Sequence, residues 1–231
     1  MSSSTLRPVG GPRPRWSGGA TSFLLICVIL AVGAFEALWF GVVTDTGLAV
    51  VDPAVVAWMV DHRSAGPVIA ARVVSDVGAP AVTVTAALVV LGWWAVRRAW
   101  PAVVSGGIGL GLLIAVDVWA KSLVARPRPP LGWHAVAVPG YSFPSGHAML
   151  SLGIVLLIGR LVHRQGLLSS GRGPRWAVGA TTGALLLAVG TSRLVLGVHY
   201  PSDVLAGWLL AVLVVAAVAL VETAWTRGAL S

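Results

Sequence analysis

Three short polar clusters carry the residues whose types and spacing could do chemistry. In Ser192-Arg193-Leu-Val-Leu-Gly-Val-His199-Tyr-Pro-Ser-Asp203, a histidine and an aspartate stand four apart. If that turn is helical, the carboxylate reaches the imidazole. A carboxylate so placed fixes the histidine's tautomer and stabilises its protonated form. Pro201 suits the first turn of such a helix. A second cluster, Pro144-Ser145-Gly146-His147, reads as a helix start. Ser145 is a natural N-cap, Gly146 lets backbone N–H groups approach a ligand, and the positive end of the helix suits phosphate. The third is Lys121-Ser-Leu-Val-Ala-Arg126-Pro-Arg128-Pro129. Each has an ordinary reading when taken alone: snorkelling cations at a span end, a capping serine beside a surface histidine, and a structural His–Asp pair. Together they offer cations, two histidines, a carboxylate and a helix N-terminus, a set suited to a phosphate dianion that needs charge-assisted donors.

The elements that must position these clusters are membrane spans. The chain has 231 residues, 57% hydrophobic and only 10% charged, where a soluble domain carries roughly 25% charged residues. Six apolar runs approach the length of about 20 residues that a helix needs to cross a bilayer: Thr21–Val43, Ala81–Val96, Ala102–Ala120, His147–Val162, Ala177–Leu196 and Val204–Val221. The first is too long for a signal-peptide core and no small-residue cleavage site follows closely, so it reads as a retained span. The expected fold is all-α: a polytopic membrane helical bundle with six transmembrane helices. Residues 1–20 and 223–231 form short tails, and residues 21–222 form one domain. Thr44–Ala79 is the longest outer connection, where Asp52–Pro53 reads as an N-cap followed by proline. Val55, Val56, Met59 and Val60 give that segment an apolar face, for packing or for lying on the membrane.

Charge sets the orientation. The net charge is +8, but the basic residues sit in short gaps between apolar runs, so topology rather than nucleic acid explains them. Arg7, Arg13, Arg15, Arg97, Arg98, Arg160, Arg164, Arg172, Arg175 and Arg227 fall on one face, which the positive-inside rule makes cytoplasmic, with both termini. Arg63, Arg72, Lys121, Arg126, Arg128 and Arg193 fall on the other. Four of these belong to the clusters, so all three clusters meet on the face where topology leaves cations scarce. The single cysteine, Cys27, lies in an apolar run and allows no disulfide framework within the chain.

At these residues the sequence resembles the type 2 phosphatidic acid phosphatase superfamily of lipid phosphatases. Its three-part signature reads here as Lys121…Arg128-Pro129, Pro144-Ser145-Gly146-His147, and Ser192-Arg193…His199…Asp203, with every position matched at the required spacing. The resemblance implies roles. His199 would attack phosphorus and form a phosphohistidine. Asp203 would orient it, and His147 would protonate the leaving lipid oxygen. Lys121, Arg128 and Arg193 would bind the phosphoryl oxygens with Ser145 and the Gly146 backbone, while Ser192 would have a supporting role. No metal or other cofactor is implied. The implied partner is a phosphorylated lipid in the plasma membrane, of the phosphatidic acid, phosphatidylglycerol phosphate or undecaprenyl pyrophosphate type. The chemistry agrees: covalent catalysis splits one difficult displacement into two easier ones, and cations stabilise charge spread over the equatorial oxygens.

Other polar residues stand outside the signature. Arg126 reads as a loop cation, with a second phosphate or an anionic head group as its sharper use. Asp117, four residues before Lys121, is expected to pair with it. Glu36, in the first span, has no assigned partner. Trp133, His134, Tyr141 and Phe143 lie between clusters, where a role lining the entrance competes with ordinary interfacial anchoring. Two competing functions share the same site: a phosphotransferase that uses an acceptor other than water, and a transporter that binds a lipid phosphate without cleaving it. Only the first shares the enzyme's need for two histidines. Oligomeric state is not legible.

Overall fold

The computed structural model describes residues 18–166 and 175–228. Among the described residues, eight α-helices run in chain order: α1 (Gly18–Thr44), α2 (Asp52–Asp61), α3 (Ala65–Val77), α4 (Pro80–Val96), α5 (Trp100–Val124), α6 (Gly146–Arg164), α7 (Arg175–Val195) and α8 (Pro201–Gly228). Two 3₁₀ turns, Gly47–Val50 and Leu131–Trp133, sit in the connections. Much of this helix is valine and glycine, which are poor helix formers. Lipid overrides propensity, because a backbone group left unpaired in hydrocarbon costs several kcal/mol. Six segments among the described residues are long and apolar enough to cross a membrane, so the protein is an all-helical, multi-pass membrane bundle. Arg7, Arg13, Arg15 and Arg172, which set the expected orientation, lie outside the described residues.

Five spans fall close to their expected places. The second begins earlier than Ala81: the apolar stretch is Ala65–Val96, built from α3 and α4 in succession. The helix breaks at Gly78 and Ala79 because Pro80 has no N–H to continue the ladder and pushes Ala79 to extended backbone, φ −61° and ψ 141°. α3 packs along α7, whereas α4 packs along α5 and α6. Much of the expected outer loop is therefore helix laid against the bundle.

The core lies between α5, α6 and α8, where Leu113, Met149, Leu157, Leu161, Leu210 and Ala211 are buried, with Trp94 of α4 beside them. Helix α1 is peripheral, touching mainly α8 and the turn after itself. At the end remote from the three clusters, Glu222 of α8 binds Arg160 and Arg164 of α6 and Ser105 of α5, tying three helices together.

Helices α6 and α8 come close together at Gly207. A Cβ there would stand 2.7 Å from the carbonyl oxygen of Ser145 and 3.2 Å from the amide nitrogen of Met149. Backbone cannot swing aside as a side-chain tip can, so any larger residue must push α8 off the first turn of α6. Gly207→Ala is expected to destabilise the fold by about 1–3 kcal/mol, read as a lower thermal midpoint in detergent. Gly33→Ala serves as control, since its added Cβ meets nothing within 4 Å. Equal midpoints for the two variants would refute the close approach.

Candidate active site

Four helix ends deliver the clusters to one place. Helix α5 stops at Ala125, which takes a left-handed conformation, φ 49°, and Pro127 prevents the helix from resuming. The chain then runs sideways through Arg126 and Arg128 to the loop before α6. Backbone bonds tie the clusters together. Ser142 N–H donates to the Arg126 carbonyl, Ser145 N–H to the Asp203 carbonyl and Ala135 N–H to the Leu196 carbonyl, each at 2.9 Å. Side chains add to this: Lys121 Nζ donates to the Pro144 carbonyl at 2.8 Å, and Arg128 Nη1 to the Val198 carbonyl at 2.8 Å.

At the centre His199 is 2% exposed and Asp203 fully buried. His199 Nδ1 lies 3.3 Å from Asp203 Oδ2, and Arg128 Nη1 lies 3.1 Å from His199 Nε2. A guanidinium can only donate, so Nε2 is the acceptor and Nδ1 carries the proton toward the carboxylate. This tautomer leaves the Nε2 lone pair facing a cation. Tyr200 N–H also donates to Asp203 Oδ2, at 2.8 Å, which helps hold the carboxylate's rotation.

The other signature residues gather around this pair. His147 is half-buried, and its electrostatic neighbours are Arg193, His199, Arg128 and Lys121. Lys121 pairs with Asp117, one helical turn before it, as expected from the spacing. Arg193 is 3% exposed and donates from Nη1 to Ser75 Oγ. Its Nε and the Ser145 hydroxyl are both buried without a hydrogen-bond partner among the described residues. Ser145 occupies the N-cap position of α6 but makes no capping bond, so its hydroxyl remains available. Ser192 donates to the Val189 carbonyl of its own helix at 2.7 Å, and therefore acts on the helix.

Burial sets the protonation of the residues between the spans. It is the largest influence on His199 and, with Arg128 and Arg193 adding to it, outweighs Asp203, lowering the imidazole to about 4. Burial also lowers Arg128, against the attraction of Asp203. Arg126 goes the other way: burial is again largest and lowering, but Asp203 and Asp52 together exceed it and raise the guanidinium.

Residues 100–227, more than half of the chain, match the PAP2 superfamily. The chain belongs to that superfamily. The PAP2 match covers all three clusters and leaves out α1–α4. Among curated proteins, the decaprenylphosphoryl-5-phosphoribose phosphatases of Mycobacterium tuberculosis and Mycolicibacterium smegmatis are each 36% identical over 115 residues, 48% of this chain. The chain spans about half the length of these relatives, 54% and 53%. Among solved structures, the transmembrane PAP2-type phosphatidylglycerolphosphate phosphatase of Bacillus subtilis superposes with a TM-score of 0.70 at 24% identity, over 84% of this chain and 96% of that one. Aquifex aeolicus LpxE superposes with a TM-score of 0.53 at 18% identity, over 74% and 94%. Both likenesses concern the fold.

Several expectations outside the PAP2 signature change. Asp52 is no N-cap: Val51 holds that position, and the Asp52 carboxylate reaches across to Arg126 and Ser202. Arg126 is neither a loose loop cation nor open to a second phosphate, because it bridges Asp203 and Asp52. Phe143 is fully buried among Leu38, Val42 and Ala206, so it fills core and lines no entrance. His134 bonds the Pro129 carbonyl at 2.9 Å, which braces the loop. The apolar face of α2 keeps the packing role among its expected uses: Val56 is buried while Trp58 points outward, and the helix packs on α7 and α8. Arg63 donates to the Val195 carbonyl at 2.8 Å and Arg72 to that of Ala135, so these cations lash α2–α3 to the end of α7 and to the loop before α6. Ser75, which no sequence signal marks, holds Arg193.

The imidazole signal of His199, assigned by its loss in His199→Gln, is expected to titrate near pH 4 instead of the ordinary value of about 6.5. The unfolded chain takes up this proton at the higher pH. The stability tied to His199 is thus complete above about 6.5 and falls as pH drops toward 4. A titration near 6.5 in folded protein would contradict the burial of this ring.

Proposed function

We propose that the protein hydrolyses a phosphate monoester or diphosphate on a lipid through a phosphohistidine on His199. The observation that carries this reading is the pairing of a neutral, oriented imidazole with buried donors that lack an acceptor, Arg193 Nε and Ser145 Oγ. A phosphoryl group supplies oxygens to both.

A phosphoryl group entering between Arg128 and His199 draws the guanidinium onto its oxygens and frees the Nε2 lone pair. Nε2 then attacks phosphorus in line with the lipid oxygen. The N–P bond forms as the P–O bond breaks, and His147 gives its proton to the departing oxygen. Asp203 stabilises the positive charge that develops on the ring. Lys121, Arg193, Ser145 and the Gly146 N–H hold the equatorial oxygens, where preorganised donors count most. In the second step water attacks phosphorus, His147 takes its proton, and the N–P bond breaks to release phosphate and neutral His199. Nothing in this sequence calls on a metal ion.

The site belongs on the extracytoplasmic face, with both termini cytoplasmic and residues 21–222 acting as a single domain. The charge distribution along the sequence supports this, since the cations remote from the site are the more numerous. A lipid substrate fits a site opening at the ends of spans. The printed names of the relatives, a decaprenylphosphoryl-5-phosphoribose phosphatase and a phosphatidylglycerolphosphate phosphatase, support a lipid phosphate as substrate.

His199→Ala and His147→Ala are each expected to lower phosphate release. For the acid–base residue the loss is about 10²–10⁴-fold, and for the nucleophile it is at least as large. Purified protein should release phosphate from at least one of phosphatidic acid, phosphatidylglycerol phosphate and undecaprenyl pyrophosphate with a chelator present. Full activity in both histidine variants would remove the catalytic assignment, and activity lost to the chelator would remove the metal-free route. Label passing to an added alcohol instead of water would identify a phosphotransferase. Lipid phosphate moved between leaflets without cleavage would identify a transporter.

A further inference from the structure

The signature accounts for one side of Asp203. The other side is held by a residue outside it. Arg126 Nη1 donates to Asp203 Oδ1 at 2.7 Å and to Ser202 Oγ at 2.8 Å, and Nη2 donates to Asp52 Oδ2 at 2.8 Å. The guanidinium carbon lies 4.2 Å from the centre of the Tyr200 ring, within cation–π range. Asp52, 1% exposed, also accepts from the Ser202 N–H at 3.1 Å and from the Ser202 hydroxyl. Asp52, Arg126, Asp203 and His199 thus form a chain of contacts in which anion, cation and anion follow one another and end on the neutral imidazole. It enters from α2, the end of α5 and the start of α8.

This arrangement has an electrostatic meaning. An isolated carboxylate as buried as Asp203 is expensive, and a partner cation offsets the cost. One arginine between two carboxylates leaves a net charge of minus one behind the imidazole. That matches the single positive charge His199 gains when its ring is phosphorylated or protonated. Without Arg126 the charge behind the ring would be minus two, and without Asp52 it would be zero.

We propose that Arg126 and Asp52 are positioning residues of the active centre. They hold the Asp203 carboxylate in the rotation that aims His199, and they set the net charge behind the ring at minus one. The proposal rests on the phosphohistidine reading for its catalytic consequence, but not for its effect on His199 itself. The remaining charged groups near the pair are Arg128, Arg193 and His147 facing His199, and Lys121 facing Asp203. All four are kept in the variants that test it.

The test compares Arg126→Gln, Arg126→Lys and Asp52→Asn with the parent protein. It uses two readouts: the NMR titration of His199, and the pH profile of kcat on a lipid phosphate. Arg126→Gln is expected to raise the pH at which the His199–Asp203 pair takes up a proton by about one unit or more. The acid limb of the profile should rise with it, and kcat should fall by about 100-fold while KM stays within a factor of about two, because Arg126 does not touch substrate. Asp52→Asn should move titration and limb the opposite way. Arg126→Lys keeps the charge but loses the two-pronged hold, so kcat falls while the limb stays. If Arg126→Gln does not fold, the other two variants still carry the opposite-sign and fixed-limb expectations. Lower activity with an unmoved titration in Asp52→Asn, or shifts of the same sign in both neutralising variants, would mean a mere brace and overturn the proposal. A parent protein that releases no phosphate, yet whose His199 shifts as described, would defeat the phosphatase reading and leave the positioning role standing.

Discussion

The contact on which the site depends is the buried bond between Asp203 and His199. In water a carboxylate and an imidazole need no particular arrangement. Here the carboxylate is fully buried at the end of a span, so each of its acceptor sites must find a donor inside the protein. Tyr200 N–H, His199 and Arg126 supply them. Each donor brings its own requirement. Tyr200 needs Pro201 to open α8 immediately after it. Arg126 needs the left-handed stop at Ala125 and a second anion from α2. His199 needs a cation on its far side, which Arg128 provides while pinned by the carbonyls of Pro139, Gly140 and Val198. Much of the architecture at this end of the bundle can be read as the completion of one carboxylate's hydrogen bonds.

The helices below serve that arrangement by holding their ends at fixed distances. Contact between α6 and α8 at Gly207 is backbone against side chainless backbone, which leaves little freedom between the Ser145 turn and the Asp203 turn. The amide of Ser145 and the carbonyl of Asp203 are bonded directly. The Ser145 turn and the Asp203 turn are thus joined backbone to backbone.

Legibility in the sequence divides along physical lines. The spans could be read because hydrocarbon imposes length and apolarity on the chain directly. The start of the second span was misplaced because Pro80 made the break at Gly78–Ala79 look like the end of a loop, when α3 continues the apolar path beside α7. Lys121–Asp117 and His199–Asp203 were legible because both are one-turn spacings. Asp52 was misread for the opposite reason. Its local context, an acid before proline, fits a cap, while its actual partners are 74 and 150 residues away. The partners of Ser75 and Arg63 are invisible for the same reason, since Arg193 and the Val195 carbonyl lie far along the chain. Phe143 misled because loop aromatics in membrane proteins often sit at the interface, whereas this one fills the gap between α1 and α8.

The clamp at the remote end has a consequence in time. In the proposed orientation Arg160 and Arg164 are among the cations that keep their loop cytoplasmic, yet in the finished fold both bind Glu222. Synthesis runs from the N-terminus, so when α6 enters the membrane residue 222 does not yet exist. The arginines meet the insertion machinery unneutralised and only later become struts. One pair of side chains thus serves first as an address and afterwards as a fastening, and the order of translation keeps the two duties from interfering.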